Sequence, residues 1–256
     1  MTDSGAEDRF ARCRLLLGEK AFERLSGALV VVVGLGAVGS HAAEALARAG
    51  VGQLRIVDFD RVRPSNINRQ IIALDSTVGK LKTEVAAHRI RDINPSCAVE
   101  AMQLFVEPST IPDILSGPPD VLVDAIDSVG PKIILLEGAR RRGIRAVSAM
   151  GAALHKDAGA IRVGDISETR VCRLARFIRK RLARRGVESG IRCIYSVEHV
   201  QHPAPLENIV DSGESLCRGR PRTPLGSLPT ITGIFGLMAA HEAIMMLIGE
   251  ADGTSQ

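Results

Sequence analysis

The stretch Gly34-Leu35-Gly36-Ala37-Val38-Gly39 constrains this chain more than any other. Before it runs a continuously apolar, β-branched segment, Ala28 to Val33, and after it the small residues of Ala37 to Ala49. The apolar run predicts a strand buried on both faces, as in a parallel sheet, and the small residues predict a closely packed helix. Between them, the first glycine permits a tight turn and the second lets backbone approach a phosphate. The third lets helix and strand pack closely. The helix N-terminus then offers unpaired N–H groups and the positive end of its dipole to an anion. Gly50 and Gly52 stop the helix, and Gln53 to Asp58 reads as the next strand, with Asp58 at its end placed to accept hydrogen bonds from a ribose. A bare G-x-G-x-x-G is a weak signal, but between a strand and a helix it points to a nucleotide. Two classes stay open at this point: a dinucleotide-dependent oxidoreductase, and an enzyme that uses the same crevice for ATP.

The pattern continues beyond Asp58. Helices are expected over Gly79 to Ile93, Ser109 to Leu115 and Pro131 to Arg142, with strands over Ala98 to Leu104, Asp120 to Asp124 and Arg145 to Ser148. Alternation of this kind predicts an α/β fold, a Rossmann-like, doubly wound and mostly parallel sheet. After Met150 the grammar changes. Ala160 to Val163 and Arg192 to Val200 read as strands, Arg170 to Arg185 as a basic amphipathic helix, His202 to Pro229 as a long loop, and Leu228 onward as an apolar helix. On the basic helix, Val171, Leu174, Ile178 and Leu182 are expected on one face and Arg173, Arg176, Lys180 and Arg184 on another. The expected organisation is an N-terminal helical arm (1–27), a nucleotide-binding Rossmann-like domain (28–165), and a C-terminal extension (166–256) that carries the basic and apolar helices and packs on the same domain.

Composition excludes several alternatives. With 45% hydrophobic and 24% charged residues, 256 residues can bury a sizeable core. Five cysteines with no C-x-x-C pair argue against a disulfide scaffold or a four-cysteine zinc site. Free cysteines, and an N-terminus that carries Asp3, Glu7 and Asp8 without an apolar run, predict a cytoplasmic protein with no signal peptide. Leu228 to Gly249 is apolar enough to resemble a membrane span, but reads as a buried core helix, so no membrane partner is expected.

The loop after Asp58 separates ATP from a dinucleotide. It contains Arg69, and Lys82 follows near the start of the next helix. Adenylyl transfer builds negative charge on the α-phosphate and on departing pyrophosphate, and an arginine and a lysine aimed there stabilise both. Asp124-Ala125-Ile126-Asp127 closes a strand at the edge where doubly wound sheets bind ligands, and a carboxylate there can hold Mg²⁺ against a triphosphate. Surface solvation is the plainer role for Arg69 and Lys82. A strand-end turn is the plainer one for Asp58.

Gly34-x-Gly-x-x-Gly39, Asp58-Phe-Asp60, Ser65-Asn66-x-Asn68-Arg69-Gln70, Val78-Gly79-x-x-Lys82 and Asp124-x-x-Asp127 together resemble the adenylation domain of the E1-like (ubiquitin-activating-like) superfamily. The match runs in order over residues 9 to 150. The resemblance implies ATP and Mg²⁺ as cofactors. It places Gly34, Gly36 and Gly39 at the triphosphate and Asp58 on the ribose hydroxyls, with Asp60 and Asn66 nearby. Asn68, Arg69 and Lys82 face the phosphates, and Asp127 binds the metal, whereas Asp124 shapes the strand end. Arg69, Lys82 and Asp127 are the implied catalytic set. The family is usually dimeric, and its N-terminal arginines, here Arg9, Arg12 and Arg14, can reach the nucleotide of the partner subunit.

Within the superfamily the chain resembles the tRNA threonylcarbamoyladenosine dehydratase branch. Asp127-Ser128-Val before Pro131-Lys132, the segment Arg192-Cys193-Ile-Tyr195-Ser196-x-Glu198, and Gly18-Glu19-Lys20 carry this likeness. It implies ATP-dependent cyclisation of threonylcarbamoyladenosine at position 37 of tRNA through an acyl-adenylate, with no enzyme nucleophile. The alternative is an adenylyltransferase acting on a small sulfur-carrier or ubiquitin-like protein, with a sulfur-transfer protein as partner and Cys193 or Cys217 as the reactive thiol. The basic helix is an independent pointer to tRNA. Arg170 to Arg192 holds nine Lys/Arg and one acid, Glu188, and Arg173, Arg176, Lys180 and Arg184 are the expected RNA contacts. With six Phe, one Tyr and no Trp, base recognition is expected to lean on hydrogen bonds and cation stacking.

Overall fold

The computed structural model describes residues 8–200 and 225–249. Two short helices, α1 (Ala11–Leu17) and α2 (Glu19–Gly27), lead into β1 (Leu29–Val33), α3 (Gly39–Ala49), β2 (Gln53–Val57), α4 (Lys82–Ile93) and β3 (Ala98–Met102). The second half of the alternation is α5 (Ile111–Ile114), β4 (Val121–Asp124), α6 (Val129–Arg141) and β5 (Arg145–Ala149). Then come β6 (Ile161–Asp165), α7 (Arg173–Ala183), β7 (Ile191–Ser196) and α8 (Pro229–Ile248).

The seven strands form one sheet in the order β3-β2-β1-β4-β5-β7-β6. All neighbours are parallel except β6, which runs antiparallel to β7. The chain leaves β1 toward β2 and later returns to its other side as β4, so the topological switch lies between β1 and β4. Register places Val33 beside both Val57 and Asp124. The glycine turn, Asp58 and the Asp124–Asp127 turn therefore emerge side by side at the carboxyl edge.

Strand alternation divides the core. Val30 and Val32 point into a layer with Leu25, Leu46, Ile90 and Phe235, whereas Val31 and Val33 point into one with Ile114, Leu136, Ile178 and Leu182. Each such side chain, fully buried, contributes about 1.5–3 kcal/mol. The apolar helix α8 belongs to the first layer and lies against α3, α2 and strands β4, β5 and β7. It is long and apolar enough to cross a membrane, yet Ile231, Phe235, Ala239, Ala240 and Ala243 are buried inside the protein. Its approach to α3 is close: a Cβ on Gly236 would lie 2.4 Å from the Val38 carbonyl oxygen.

Three local expectations change. Gly79 stands outside α4 with φ +85°, a conformation suited to glycine, and the helix begins at Lys82. The basic helix begins at Arg173, not Arg170. Val171 lies before it at φ 62° and is exposed, so the buried face is Ala175, Ile178 and Leu182. Arg184 caps the end of α7. Strand β7, beyond residue 165, inserts between β5 and β6. Most of the 202–229 loop, including Cys217, lies outside the described residues.

Candidate functional site

The three glycines of the turn serve different ends. Gly34 has φ +89°, and a Cβ on it would stand 2.9 Å from the Ala125 carbonyl oxygen. A Cβ on Gly39 would fall 1.7 Å from the Gly34 carbonyl oxygen. Both are demanded by the chain's own packing. Around Gly36 the nearest atom to such a Cβ is Gln70 Nε2 at 3.9 Å, so this glycine leaves room that the fold does not use. No side chain caps α3, whose first turn faces the same space.

Asp58 holds this turn to the end of β2. Its Oδ2 accepts the Leu35 N–H at 2.6 Å and its Oδ1 accepts the Asp60 N–H at 2.8 Å. Burial pushes its pKa up, and Lys82 and the two N–H bonds oppose this. A carboxylate has about four lone-pair sites, so two remain for hydroxyl donors. The strand-end role and the ribose role are thus compatible in one side chain. Lys82 is buried at the start of α4, and its ammonium lies 3.0 Å from Asp60 Oδ2. Asp60 is 35% exposed, so the pair sits at the rim rather than in the core.

The loop after β2 folds through a 3₁₀ turn at Pro64–Asn66. Asn66 is buried, and its Oδ1 accepts the Arg63 N–H at 3.1 Å, which makes it a builder of the turn. The Arg69 guanidinium donates to the Ser65 carbonyl and to Asn68 Oδ1, both at 2.8 Å. No carboxylate pairs with Arg69 among the described residues. Its positive charge is held in position but not neutralised. The next residue, Gln70, is buried with its Oε1 lacking any hydrogen-bond partner, beside the open space at Gly36. A buried amide oxygen without a partner costs about 1–3 kcal/mol, so it fits a site completed by a ligand. Nothing in the sequence alone assigns Gln70 a role.

Beneath the site lies a second cluster that the sequence did not reveal. Lys132, fully buried on α6, donates to Asp124 Oδ2 at 2.5 Å, Ser148 Oγ at 3.2 Å and the Ala149 carbonyl at 3.0 Å. Ser148 donates to the same Asp124 oxygen, and Asp124 Oδ1 accepts the Ile126 N–H at 3.1 Å. Asp124 therefore anchors the turn that presents Asp127, while Asp127 itself is exposed. The available signal was a lone cation in the apolar run Ile133-Ile134-Leu135-Leu136, eight residues past Asp124. Among the described residues no cluster of three or more His, Cys, Asp or Glu could hold a metal.

The structure brings Gly34, Gly36, Gly39, Asp58, Asp60, Asn66, Asn68, Arg69, Lys82 and Asp127 to one edge of the sheet, on the loops that leave β1, β2 and β4. Arg173, Arg176 and Lys180 on α7, and Arg184 at its C-cap, are on none of those loops and are exposed.

The sequence pattern of the ThiF family matches residues 10–256. The chain belongs to the ThiF family. Among ThiF-family relatives, it is 35% identical over 245 residues to tRNA threonylcarbamoyladenosine dehydratase of Bacillus subtilis (strain 168), covering 95% of this chain and 96% of that one. The enzyme of the same name from Escherichia coli (strain K12) is 37% identical over 254 residues, covering 95% and 94%. The crystal structure of E. coli TcdA, that dehydratase, in complex with ATP superposes with a TM-score of 0.82 at 35% identity, over 96% of each chain. The ThiF-family assignment removes the dinucleotide oxidoreductase.

Proposed function

We propose that this chain is an ATP-dependent tRNA threonylcarbamoyladenosine dehydratase. The end-to-end similarity to the B. subtilis and E. coli enzymes of that name carries the reading. The site geometry supports ATP as the nucleotide. Gly36 leaves room at an uncapped helix N-terminus, Gln70 offers an unpaired oxygen, and Arg69 and Lys82 bring two cations to the same edge.

In this reading the threonyl carboxylate of the modified adenosine at position 37 attacks the α-phosphorus, and pyrophosphate leaves. A nucleophile of the same modified side chain then attacks the activated carbonyl and expels AMP, for a net loss of one water. Asp58 orients the ribose, and Arg69, Asn68 and Lys82 stabilise charge on the phosphates. Lys82 exchanges Asp60 for phosphate oxygens when ATP enters. Asp127 would hold Mg²⁺. A single carboxylate fits that ion, which takes its other ligands from phosphates and water.

The exposed cations of α7 support a tRNA contact. Arg176 and Lys180, and Lys180 and Arg184, are like-charge pairs four residues apart, each costing the helix about 0.2–0.5 kcal/mol. None of these three has an ion-pair partner among the described residues. An RNA backbone would repay that repulsion.

Leu15 and Leu16 on α1 are 86% and 84% exposed, and Cys13 of the same helix lines a mostly apolar groove with Ala45, Ala49, Ile71 and Leu237, rimmed by His41, Glu44 and Arg48. A second copy of the chain would cover this face, giving a homodimer. Arg9 donates to the Ile93 carbonyl and Arg14 pairs with Asp8 and Glu19, whereas Arg12 is exposed and has no partner among the described residues. Arg12 is the arginine we assign to the partner's nucleotide. The described cysteines are all free, which supports a cytoplasmic setting.

In the sulfur-carrier alternative, Cys193 or Cys217 would accept sulfur or form a transient thioester after the carboxylate is adenylated. Cys193 is fully buried, and burial pushes its thiol far up, away from thiolate. A sulfur-transfer partner belongs to that second reading.

Nucleoside mass spectrometry decides between them. The protein is incubated with Mg²⁺, ATP and tRNA carrying threonylcarbamoyladenosine, and the tRNA is then digested mildly. Loss of one water, dependent on ATP and abolished by Lys82→Ala, is the expected result. An unchanged nucleoside, with pyrophosphate exchange appearing only when a small carrier protein is added, refutes the dehydratase.

A further inference from the structure

The chain has seven aromatic residues, six Phe and one Tyr. Six of them are buried or half-buried: Phe10, Phe22, Phe59, Phe105, Tyr195 and Phe235. The seventh, Phe177, is 44% exposed, and it projects from the middle of α7. The helix does not need it for packing, because Ala175, Ile178 and Leu182 already supply the buried face. Its surroundings are cationic, with Arg173, Arg176, Lys180, Arg181 and Arg184 all exposed on the same short helix. The Arg181 guanidinium lies over the Phe177 ring, 4.9 Å from its centroid, and braces a ring that still faces solvent.

An aromatic face set among exposed cations has a definite chemical complement. A duplex offers phosphates but keeps its bases stacked inside. A single-stranded loop offers phosphates together with unstacked bases, whose π-faces stack on an aromatic ring or a guanidinium plane. The position also suits the site. Leu174, in the first turn of α7, lies 3.8 Å from where a Cβ on Gly151 would stand, and Gly151 follows β5 at the carboxyl edge of the sheet. Phe177 is four residues beyond Arg173, about 6 Å along the helix axis.

We propose that Phe177 and Arg181 form a stacking platform for an unpaired nucleobase of the tRNA loop, flanked by Arg173, Arg176 and Lys180 on the backbone phosphates. The proposal rests on the tRNA reading above and adds to it a preference for single-stranded over duplex RNA. It also alters the expectation from composition, since an aromatic ring joins hydrogen bonding and cation stacking in base recognition.

The chain contains no tryptophan, so Phe177→Trp installs one fluorophore at the platform. Its emission should be quenched by a synthetic anticodon stem–loop and left unchanged by an RNA duplex of equal length. Phe177→Leu keeps the apolar bulk and removes the ring. It should weaken stem–loop binding, measured by fluorescence anisotropy, about ten-fold, with the dependence on salt unchanged. The paired reversal Arg176→Glu and Lys180→Glu should weaken binding and flatten that dependence. Parent-like affinity in Phe177→Leu, or an unquenched indole on bound stem–loop, overturns the platform while the charge reversal still upholds tRNA binding. Affinity untouched by either set of changes overturns both.

Discussion

Gly36→Ala separates what the glycine turn does for the protein from what it does for a ligand. The added methyl group meets nothing closer than Gln70 Nε2 at 3.9 Å, and Gly36 does not occupy the left-handed region. The fold therefore has no reason to resist it. Restricting the unfolded chain should even stabilise the protein by about 0.4–1 kcal/mol, which is a rise in Tm of about 1–4 °C for a domain of this size. ATP meets the same methyl in the space its phosphates require. Overpacking of that kind costs about 1–3 kcal/mol, a loss of about 5- to 150-fold in affinity. Gly39→Ala is the control, because its Cβ would fall 1.7 Å from the Gly34 carbonyl oxygen and the turn itself must give way. Thermal unfolding of both variants with and without ATP, together with an ATP titration, tests the contrast. The expected result is a Gly36→Ala protein that melts no lower than its parent and has lost most of its ATP-induced stabilisation, beside a Gly39→Ala protein that melts lower in either condition. A Gly36→Ala protein that binds ATP like its parent, or that is itself destabilised by several degrees, refutes this division of labour.

The other expectations concern the site's cations and its support. Arg69→Ala should lower turnover far more than ATP affinity, since its guanidinium has no carboxylate partner to replace; equal losses in both, by steady-state kinetics and titration, would make it a binding residue only. Lys132→Met leaves the Asp124 carboxylate buried without its cation and should cost about 3–5 kcal/mol in urea denaturation. Adding Asp124→Asn should return part of that loss, and a single-variant cost below about 1 kcal/mol would mean that the pair is not holding the turn. Glu44 on α3 accepts hydrogen bonds from Arg89 on α4 and from Arg48. Burial alone would push its pKa up, but the arginines outweigh burial and hold it below the usual value. Its stabilisation is therefore present above the unfolded carboxylate range and fades as pH falls through its lowered folded value. Glu44→Gln should flatten the acid limb of a plot of Tm against pH, and an unaltered limb would show that the clasp contributes nothing.

The sheet and the nucleotide edge were legible because their signals are local. The buried run before Gly34, the turn itself and the small residues after it lie within one short segment, and β1 and α3 form where that pattern places them. The carboxyl-edge residues Asp58, Arg69, Lys82 and Asp127 follow from strand ends and loops, which a parallel topology must bring together. What stayed hidden depends on partners distant in the chain. Lys132 looks like any helical lysine until Ser148 and Ala149 arrive from the next strand. Gln70 becomes informative only when its oxygen is seen to lack a donor. Val171 fits the apolar stripe by periodicity, but its backbone at φ 62° stands outside any helix. The exposure of Phe177 follows from which residues of α7 face α6, and periodicity alone did not decide that.

The placement of β7 and α8 bears on how the protein is made. Every loop at the nucleotide edge has been translated by Ser128, but one side of β5 has no neighbour until Ile191 to Ser196 emerge and pair with it. The layer formed by α2, α3 and the central strands likewise stays open until α8, the last described helix, lies across it. Synthesis thus delivers the binding loops early and their support late. A chain arrested on the ribosome after Val200 should be cut readily by protease within the β1–β5 region, whereas release of the whole chain should protect it. The glycine turn then becomes a rigid cradle only as this last described helix closes over α3, the helix that the turn opens.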